Sequence, residues 1–315
     1  MTFRDTTWRR IRRVPPSYLV FAVLLVTLAV LRPHMMNLNV LGIFIRQIVP
    51  LGILVLGQLL VMRVRSIDLS GGGVILLINY YISSGLFPGA SMAFFITIAI
   101  ATGLVIGAFN GVMIARRRVS AVIVTLAVSI VLVGLVQFLS SGKPPGDVPS
   151  MFAAAYNTKL LGVPTPVLLW IALTILMALF LARSVFGRFV ASVGENMQAA
   201  HFSGVPVERT VIAAHILAGL MAAVAALVQT ASIAVGSVRV GLDLPILAVA
   251  ATILGGVVFG RGDGGVWGPF FGVLSFALLF IVMTTLGVDE PGKLIIQGLI
   301  ILLAAIFYGM RGART

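Results

Sequence analysis

Long apolar runs follow one another along almost the whole of this 315-residue chain, and they constrain its fold more than any other feature. Hydrophobic residues make up 60% of the sequence and charged residues only 10%, whereas soluble domains carry about 25% charged residues. A soluble fold of this length cannot bury so much apolar surface, so lipid must surround most of the chain. The sequence therefore predicts an all-α, polytopic membrane protein with a single transmembrane domain over residues 1–315.

A helix needs about 20 apolar residues to cross the hydrocarbon core of a bilayer. The sequence predicts about ten such spans, which cover residues 17–32, 42–62, 69–86, 91–115, 119–140, 166–182, 208–233, 244–259, 265–287 and 293–310. A basic segment, residues 1–16, precedes the first span and resembles the start of a signal peptide. Because Arg32, Pro33 and His34 follow the span instead of a small-residue cleavage site, we expect the span to be retained.

Arginine and lysine are distributed unequally over the loops between these spans. With ten alternating spans and a cytoplasmic N-terminus, sixteen of these cations fall on one side and five on the other. Positively charged loops face the cytoplasm, so we expect both termini to be cytoplasmic. This topology also explains the formal net charge of +13. No basic domain accompanies that charge, so we expect lipid and not nucleic acid as the partner of the basic residues.

A hydrophilic segment, residues 187–209, lies between the sixth and seventh predicted spans and therefore on the cytoplasmic side. Its pattern predicts a short helix with Glu195 near the start, where the helix dipole favours an anion. His201 falls in the last turn, and Gly204 and Pro206 would end the helix. A short, capped polar helix is not needed to cross the bilayer, so we expect a partner outside the membrane to bind it.

Polar residues inside the predicted spans are the candidates for a solute pathway: Asn79, Tyr80, Asn110, His215 and Gln229. The alternative is helix packing with hydrogen bonds between helices, which small residues favour. Gly103, Gly107 and Gly111 repeat at four-residue spacing. One face of the seventh span carries His215, Gly219, Ala222, Ala226 and Gln229. Both interpretations stay open at this point.

No carboxylate lies deep inside a predicted span, although ion-driven and proton-driven carriers usually need one there. Asp68 and Asp243 lie at span starts, and in residues 67–70 a capping role for Asp68 is the simpler interpretation. The chain has no cysteine, three scattered histidines and no Walker-type phosphate loop. We therefore expect a protein that is not an enzyme, binds no metal or cofactor itself, and depends on an energy source on another chain.

Several segments together resemble the permeases of ribose-type sugar ABC importers, in the larger group that also holds branched-chain amino-acid permeases. They occur in the expected order: residues 67–70 (IDLS), 107–111 (GAFNG), 119–126 (VSAVIVTL), 187–196 (GRFVASVGEN), 199–205 (AAHFSGV), 242–243 (LD) and 253–256 (ILGG). The IDLS element favours the sugar branch. Two segments are more charged than the family pattern: residues 63–66 (RVRS) and 259–265 (FGRGDGG). These differences leave open which sugar is transported and whether the subunit pairs with an identical or a different permease.

The resemblance implies a permease subunit of a bacterial inner membrane that moves a monosaccharide or similar small polar solute inward. It implies three partners: a second permease subunit, identical or different; cytoplasmic ABC ATPase subunits that hold ATP and magnesium; and a periplasmic or lipid-anchored substrate-binding protein. A permease of the same superfamily for an amino acid or another small solute, and a self-sufficient secondary transporter, are the alternatives.

The resemblance also implies roles for two groups of residues. The loop that couples to the ATPase would contain Gly194, Glu195, Asn196, Met197, Ala199, Ala200, Phe202 and Gly204. The outward cations Lys143, Lys159 and Arg239 would contact the binding protein. The alternative for these cations is contact with lipid headgroups.

Overall fold

A computed structural model of the chain describes residues 15–257, 262, 264–289, 291–300 and 302, without the side chains of residues 38 and 39. Within these residues the helices are α1 Pro16–Leu31, α2 Leu38–Arg63, α3 Gly71–Ser83, α4 Met92–Ala115, α5 Ala121–Ser140, α6 Ser150–Asn157, α7 Thr165–Arg183, α8 Val185–Glu195, α9 Met197–Phe202, α10 Val207–Ile233, α11 Leu244–Leu254, α12 Trp267–Thr285 and α13 over residues 291–300. A short 3-10 helix, Pro33–Met36, joins α1 to α2.

Six helices among the described residues are long and apolar enough to cross a bilayer: α2, α4, α5, α7, α10 and α12. A helical, multi-pass membrane protein is therefore confirmed. The first, third and eighth predicted spans coincide with shorter apolar helices, α1, α3 and α11. The tenth, residues 293–310, lies partly outside the described residues, as do both termini. The count of ten spans and the cytoplasmic location of the termini stay predictions.

Helices α3 and α11 are short because a non-helical segment precedes each of them, residues 64–70 and 234–243 respectively. α3 has 13 residues and α11 has 11. At 1.5 Å per residue they are about 20 and 17 Å long, against a hydrocarbon core of about 30 Å. Both are largely buried among longer helices. Non-helical main chain can lie within a membrane only in such protein surroundings, where it finds hydrogen-bond partners.

Helix α10 lies at the centre of the bundle and contacts α2, α3 and α4. Glycines of α4 face its main chain directly. A Cβ at Gly103 would overlap the carbonyl group of Gly219, and a Cβ at Gly107 would overlap that of His215. Ala222 and Ala226 of α10 are also buried. The four-residue glycine repeat thus marks a close helix contact, as the packing interpretation predicted.

The loop between α5 and α7, which the sequence predicts to face outward, is structured. It contains α6 and an antiparallel hairpin of β1 Lys159–Leu160 and β2 Val163–Pro164. Arg46, a cation inside α2, lies against this loop: its Nη1 donates to Asn157 Oδ1 at 3.1 Å, and its guanidinium lies 5.2 Å from the centroid of the Tyr156 ring. The loop therefore gives a partner to a charge that falls within an apolar span.

The contact between α4 and α10 can be tested by adding one methyl group. We expect Gly107→Ala to destabilise the protein by about 1–3 kcal/mol, because the new Cβ meets main chain that cannot move aside. Thermal denaturation of the purified protein in detergent measures the effect. Gly134→Ala in α5 is the control, since its Cβ would meet nothing within 4 Å. Equal stability of the two variants would contradict the packing described here.

Candidate functional site

In and around the hydrophilic segment, residues 187–209, the chain forms two helices, α8 and α9, that meet at Asn196. Asn196 caps α9, because its Oδ1 accepts the main-chain N–H groups of Gln198 at 2.9 Å and Ala199 at 3.0 Å. The predicted short, capped helix is confirmed. Glu195, predicted near its start, is the last residue of α8 and directly precedes the cap at Asn196. The short Asn196 side chain reaches the free N–H groups, so the new helix begins after it.

Helix α9 ends as the sequence predicted. Gly204 has a φ of +81°, in the left-handed region that favours glycine. The N–H of Val205 donates to the carbonyl of Ala200, and that of Gly204 to the carbonyl of His201, both at 3.0 Å. This closing turn satisfies the carbonyls at the helix end. It directs the chain into α10.

One side of α9 is free and the other is attached to the bundle. Ala200 is only 4% exposed, and Met197 packs partly buried against the core. Ala199 and Phe202 are exposed, and 80% of the Phe202 surface is accessible. Of the apolar residues predicted to dock on a partner, Phe202 is thus available and Met197 instead holds the helix in place.

Two arginines, Arg63 at the end of α2 and Arg65 just after it, connect the region of α8 and α9 to the bundle. Arg65 Nε donates to the carbonyl of Gly194 at 2.9 Å, and its Nη2 donates to that of Glu195 at 2.6 Å. Arg63 Nε donates to the carbonyl of Gly262 at 2.9 Å. A Cβ at Gly194 would overlap the Arg63 carbonyl, so the main chains touch there. The last carbonyls of a helix lack partners inside it, and the guanidinium of Arg65 supplies them for α8.

The sequence did not reveal the role of Arg65. Residues 63–66 were interpreted as a charged departure from the family pattern. A basic residue just after an apolar span was the available signal, but such a residue also fits a cytoplasmic loop charge. Its partner, Gly194, is 129 positions away in the sequence, so no local pattern predicts the contact.

Residues 64–70 run from this junction into the bundle, and polar side chains meet them. Ser66 Oγ lies 2.7 Å from His215 Nε2. The N–H of Leu69 donates to Thr125 Oγ1 at 3.0 Å. Asp68 Oδ1 accepts the N–H of Ser70 at 2.8 Å and its hydroxyl at 2.6 Å. Asp68 therefore holds Ser70, the N-cap residue before α3, but it accepts no hydrogen bond from the first turn of the helix, so the predicted cap is not formed.

The predicted pathway residues fall into two groups within the bundle. Asn110 and His215 meet residues 64–70, since Asn110 Nδ2 donates to Ser70 Oγ at 2.9 Å. Asn79 lies farther out: its Nδ2 donates to the carbonyl of Val235 at 3.2 Å, and its Oδ1 accepts the N–H of Ser237 at 2.9 Å.

The other two residues are Tyr80, which is buried, and Gln229, which is half-buried on α10. The bonds of Asn79, Asn110 and His215 are those that the packing interpretation expects. A solute pathway along these residues stays a prediction.

A cavity of about 420 Å³ lies between α9 and the bundle. Its polar lining comes from Arg65, Ser66, Arg118, His201 and Glu208, so it extends from the cytoplasmic helix to the start of residues 64–70. Within the described ranges, no three histidine or acidic side chains lie together as metal ligands would.

The three outward cations, Lys143, Lys159 and Arg239, are exposed. The loops that carry them are connected to one another. The N–H of Gly236 donates to the carbonyl of Gly146 at 2.6 Å, and Ser232 Oγ donates to Tyr156 Oη at 3.0 Å. The three cations therefore lie on loops that hydrogen bonds connect to one another.

Residues 40–305 match the protein family described as the branched-chain amino acid transport system permease component. The chain is 30% identical over 298 residues to the ribose import permease protein RbsC of Escherichia coli (strain K12), with 92% of each chain covered. It is 32% identical over 208 residues to the L-arabinose transport system permease protein AraH of the same strain, with 65% of this chain and 63% of the relative covered.

A third relative is the autoinducer 2 import system permease protein LsrC of Enterobacter sp. (strain 638), 30% identical over 300 residues, with 95% of this chain and 88% of the relative covered. No solved structure matches the chain significantly.

The attachment of α9 through Arg65 predicts a local change in dynamics. We expect Arg65→Ala to increase amide hydrogen exchange over residues 197–203 about fivefold, because two hydrogen bonds to the preceding helix end are lost. Hydrogen–deuterium exchange with mass spectrometry on the purified protein measures this. Arg117→Ala, at an exposed arginine between α4 and α5, is the control. If both variants exchange alike, Arg65 does not hold α9.

Proposed function

The chain belongs to the branched-chain amino acid transport system permease family, and on that basis we propose that it is the permease subunit of an ATP-driven, binding-protein-dependent importer. Its substrate would be a monosaccharide or similar small polar solute, because the relatives found here are named as import permeases for ribose, L-arabinose and autoinducer 2. The subunit itself would be non-catalytic, with ATP and magnesium on the ATPase. Its location would be the bacterial inner membrane.

The observation that carries this proposal is helix α9. It is too short to cross a membrane, it is capped at both ends, and it exposes Phe202 beside the attached Met197. An exposed aromatic side chain on a short helix fits a hydrophobic groove of a partner protein. We propose that this groove lies on the ATPase, with Gly194, Glu195, Asn196, Met197, Ala199, Ala200, Phe202 and Gly204 as the coupling loop.

The hydrogen bonds around α9 suggest how a displacement by the ATPase would reach the membrane interior. Arg65 joins the α8–α9 junction to residues 64–70, and Ser66 joins those residues to His215 on α10. A shift of α9 would therefore move the segment before α3. The contact of α10 with α4 would keep these two helices together while the segment moves.

The polar interior residues would line the solute route in this scheme. Asn110 and His215 would lie at its cytoplasmic part, and Asn79, Tyr80 and Gln229 nearer the outside. On the outward surface, Lys143, Lys159 and Arg239 would contact an acidic face of the substrate-binding protein. A second permease subunit, identical or different, would complete the transmembrane part. A secondary transporter is less favoured, because the family and the relatives named above are permease components of transport and import systems.

Docking of α9 on the ATPase predicts a specific functional loss. We expect Glu195→Arg combined with Ala199→Arg to reduce substrate-stimulated ATP hydrolysis about tenfold or more, because two bulky cations enter the interface. The assay uses the complex reconstituted with its ATPase and binding protein. Ser120→Arg, on another cytoplasmic loop, is the matched control. Full stimulation by the double variant would contradict docking at α9, whereas loss of the protein from the membrane would indicate a folding role.

The outward cations predict a change in association rate. We expect Arg239→Glu to slow binding-protein association about tenfold at low ionic strength, because charges at the edge of an interface mainly steer encounter. Uptake would fall most at low ligand concentration and recover once the complex is saturated. Lys143→Glu and Lys159→Glu would act in the same direction. Unchanged association in all three variants would support headgroup contact instead.

A further inference from the structure

We propose that the N-terminal end of α3 is a binding site for a neutral polyhydroxyl solute inside the bundle. Its donors would be the main-chain N–H groups of Gly71, Gly72 and Gly73, and its acceptors the side chains of Asp68 and Asn110. The inference rests on the proposed function and names the place inside the membrane where the imported solute is held.

The first turn of α3 leaves hydrogen-bond donors free. The helix bonds begin with the N–H of Val74, which donates to the carbonyl of Ser70 at 3.0 Å. The N–H groups of Gly71, Gly72 and Gly73 precede that bond, and the described residues offer them no acceptor. All three glycines are buried. Unpaired N–H groups in a membrane interior are costly, so their retention points to a ligand that accepts hydrogen bonds.

An unpaired acceptor lies beside these donors. Asn110 is 0% exposed, and its amide reaches the start of α3, where Nδ2 donates to Ser70 Oγ at 2.9 Å. Its Oδ1 is buried and has no partner among the described residues. His215, bonded to neighbouring Ser66, likewise keeps a buried Nδ1 without a partner. Free donors and free acceptors therefore occur at the same place.

The mixture of groups determines the chemistry of the ligand. A hydroxyl group both donates and accepts hydrogen bonds, so adjacent hydroxyls can satisfy the N–H groups, Asn110 Oδ1 and the Asp68 carboxylate together. An anion would be repelled by the Asp68 carboxylate. A cation cannot accept hydrogen bonds, so it would leave the N–H groups of Gly71, Gly72 and Gly73 unpaired. An apolar ligand would leave the polar groups unpaired. A neutral polyol, such as a monosaccharide, is the class that fits.

The site lies within the span and is closed in this structure. His215 is eight residues into α10, about 12 Å from its cytoplasmic end. Asp68 and Ser70 are only 8% and 2% exposed. Beyond them, Gly72 lies against the segment that leads into the second broken span, since a Cβ there would be 2.9 Å from the carbonyl oxygen of Gly241. Ser66 lines the cytoplasmic cavity and belongs to the segment, residues 64–70, that leads to the site.

Cysteine accessibility tests the site, because the chain contains no cysteine. Ser70→Cys is introduced into the complex reconstituted with its ATPase and binding protein. A hydrophilic methanethiosulfonate reagent is applied without nucleotide and with a non-hydrolysable ATP analogue. We expect Cys modification in at least one of the two states, slowed about tenfold by D-ribose or L-arabinose. Ser275→Cys is the matched control, a buried serine bonded to main-chain carbonyls of α12 and α1, and should stay unmodified.

A second variant separates a ligand role from a structural one. We expect Asn110→Leu to reduce uptake about tenfold and to lower thermal stability less than Asn79→Leu does, because it loses only the Nδ2 bond to Ser70 and its Oδ1 has no bond to lose. Asn79→Leu should lower stability more, since both ends of that amide are bonded. A stability loss in Asn110→Leu equal to that in Asn79→Leu, or unchanged uptake, would overturn the site.

Each result of the cysteine-accessibility experiment either supports the site or overturns it. No modification of Ser70→Cys in either state would overturn the site, and modification that neither sugar slows would show water alone and overturn it too. Uptake by the unmodified complex is measured in parallel. If that complex imports neither sugar with ATP, the proposed function as a monosaccharide importer fails, while the reactivity at position 70 still decides whether the site opens to water.

Discussion

Main-chain groups inside a bilayer must find partners within the protein, and this constraint governs the arrangement around the two broken spans. Residues 64–70 and 234–243 are not helical, yet each lies in the bundle beside helices that supply hydrogen bonds. Thr125 bonds the N–H of Leu69, and Asn79 bonds both Val235 and Ser237. The polar residues that stand out in an apolar sequence thus lie largely where the helical hydrogen-bond pattern is interrupted.

Helix α10 connects the two faces of the molecule. It starts directly after α9, and along its length it packs on the glycine face of α4. His215 joins it to the segment before α3, and Thr230 lies at the Asn79 amide of that helix. Because α10 is a continuous helix with polar contacts at both His215 and Thr230, a displacement of α9 can be transmitted along it to the interior of the bundle. Small residues make this possible, because they allow close helix contact without bulky side chains.

The ends of α3 and α9 show where the structure departs from the sequence prediction. Composition predicts that residues 69–86 are membrane-embedded, but the Asp68–Ser70 bonds and the turn after Ser83 shorten the helix to 13 residues. Periodicity predicts a short helix near Gly204, but the cap at Asn196 depends on which side chain reaches the free N–H groups. Helix ends depend on single hydrogen bonds, whereas the existence of an apolar helix depends on a whole segment.

The sequence by itself predicted the lipid environment, the helical class and the family of this protein. Each of these depends on many residues acting in the same direction, so local pattern suffices to predict them. The tertiary structure alone shows that Arg65 bonds the end of α8, that Ser66 pairs with His215, and that Asn110 Oδ1 has no hydrogen-bond partner among the described residues. These depend on atoms brought together from positions as far as 149 apart in the chain, which no local pattern encodes.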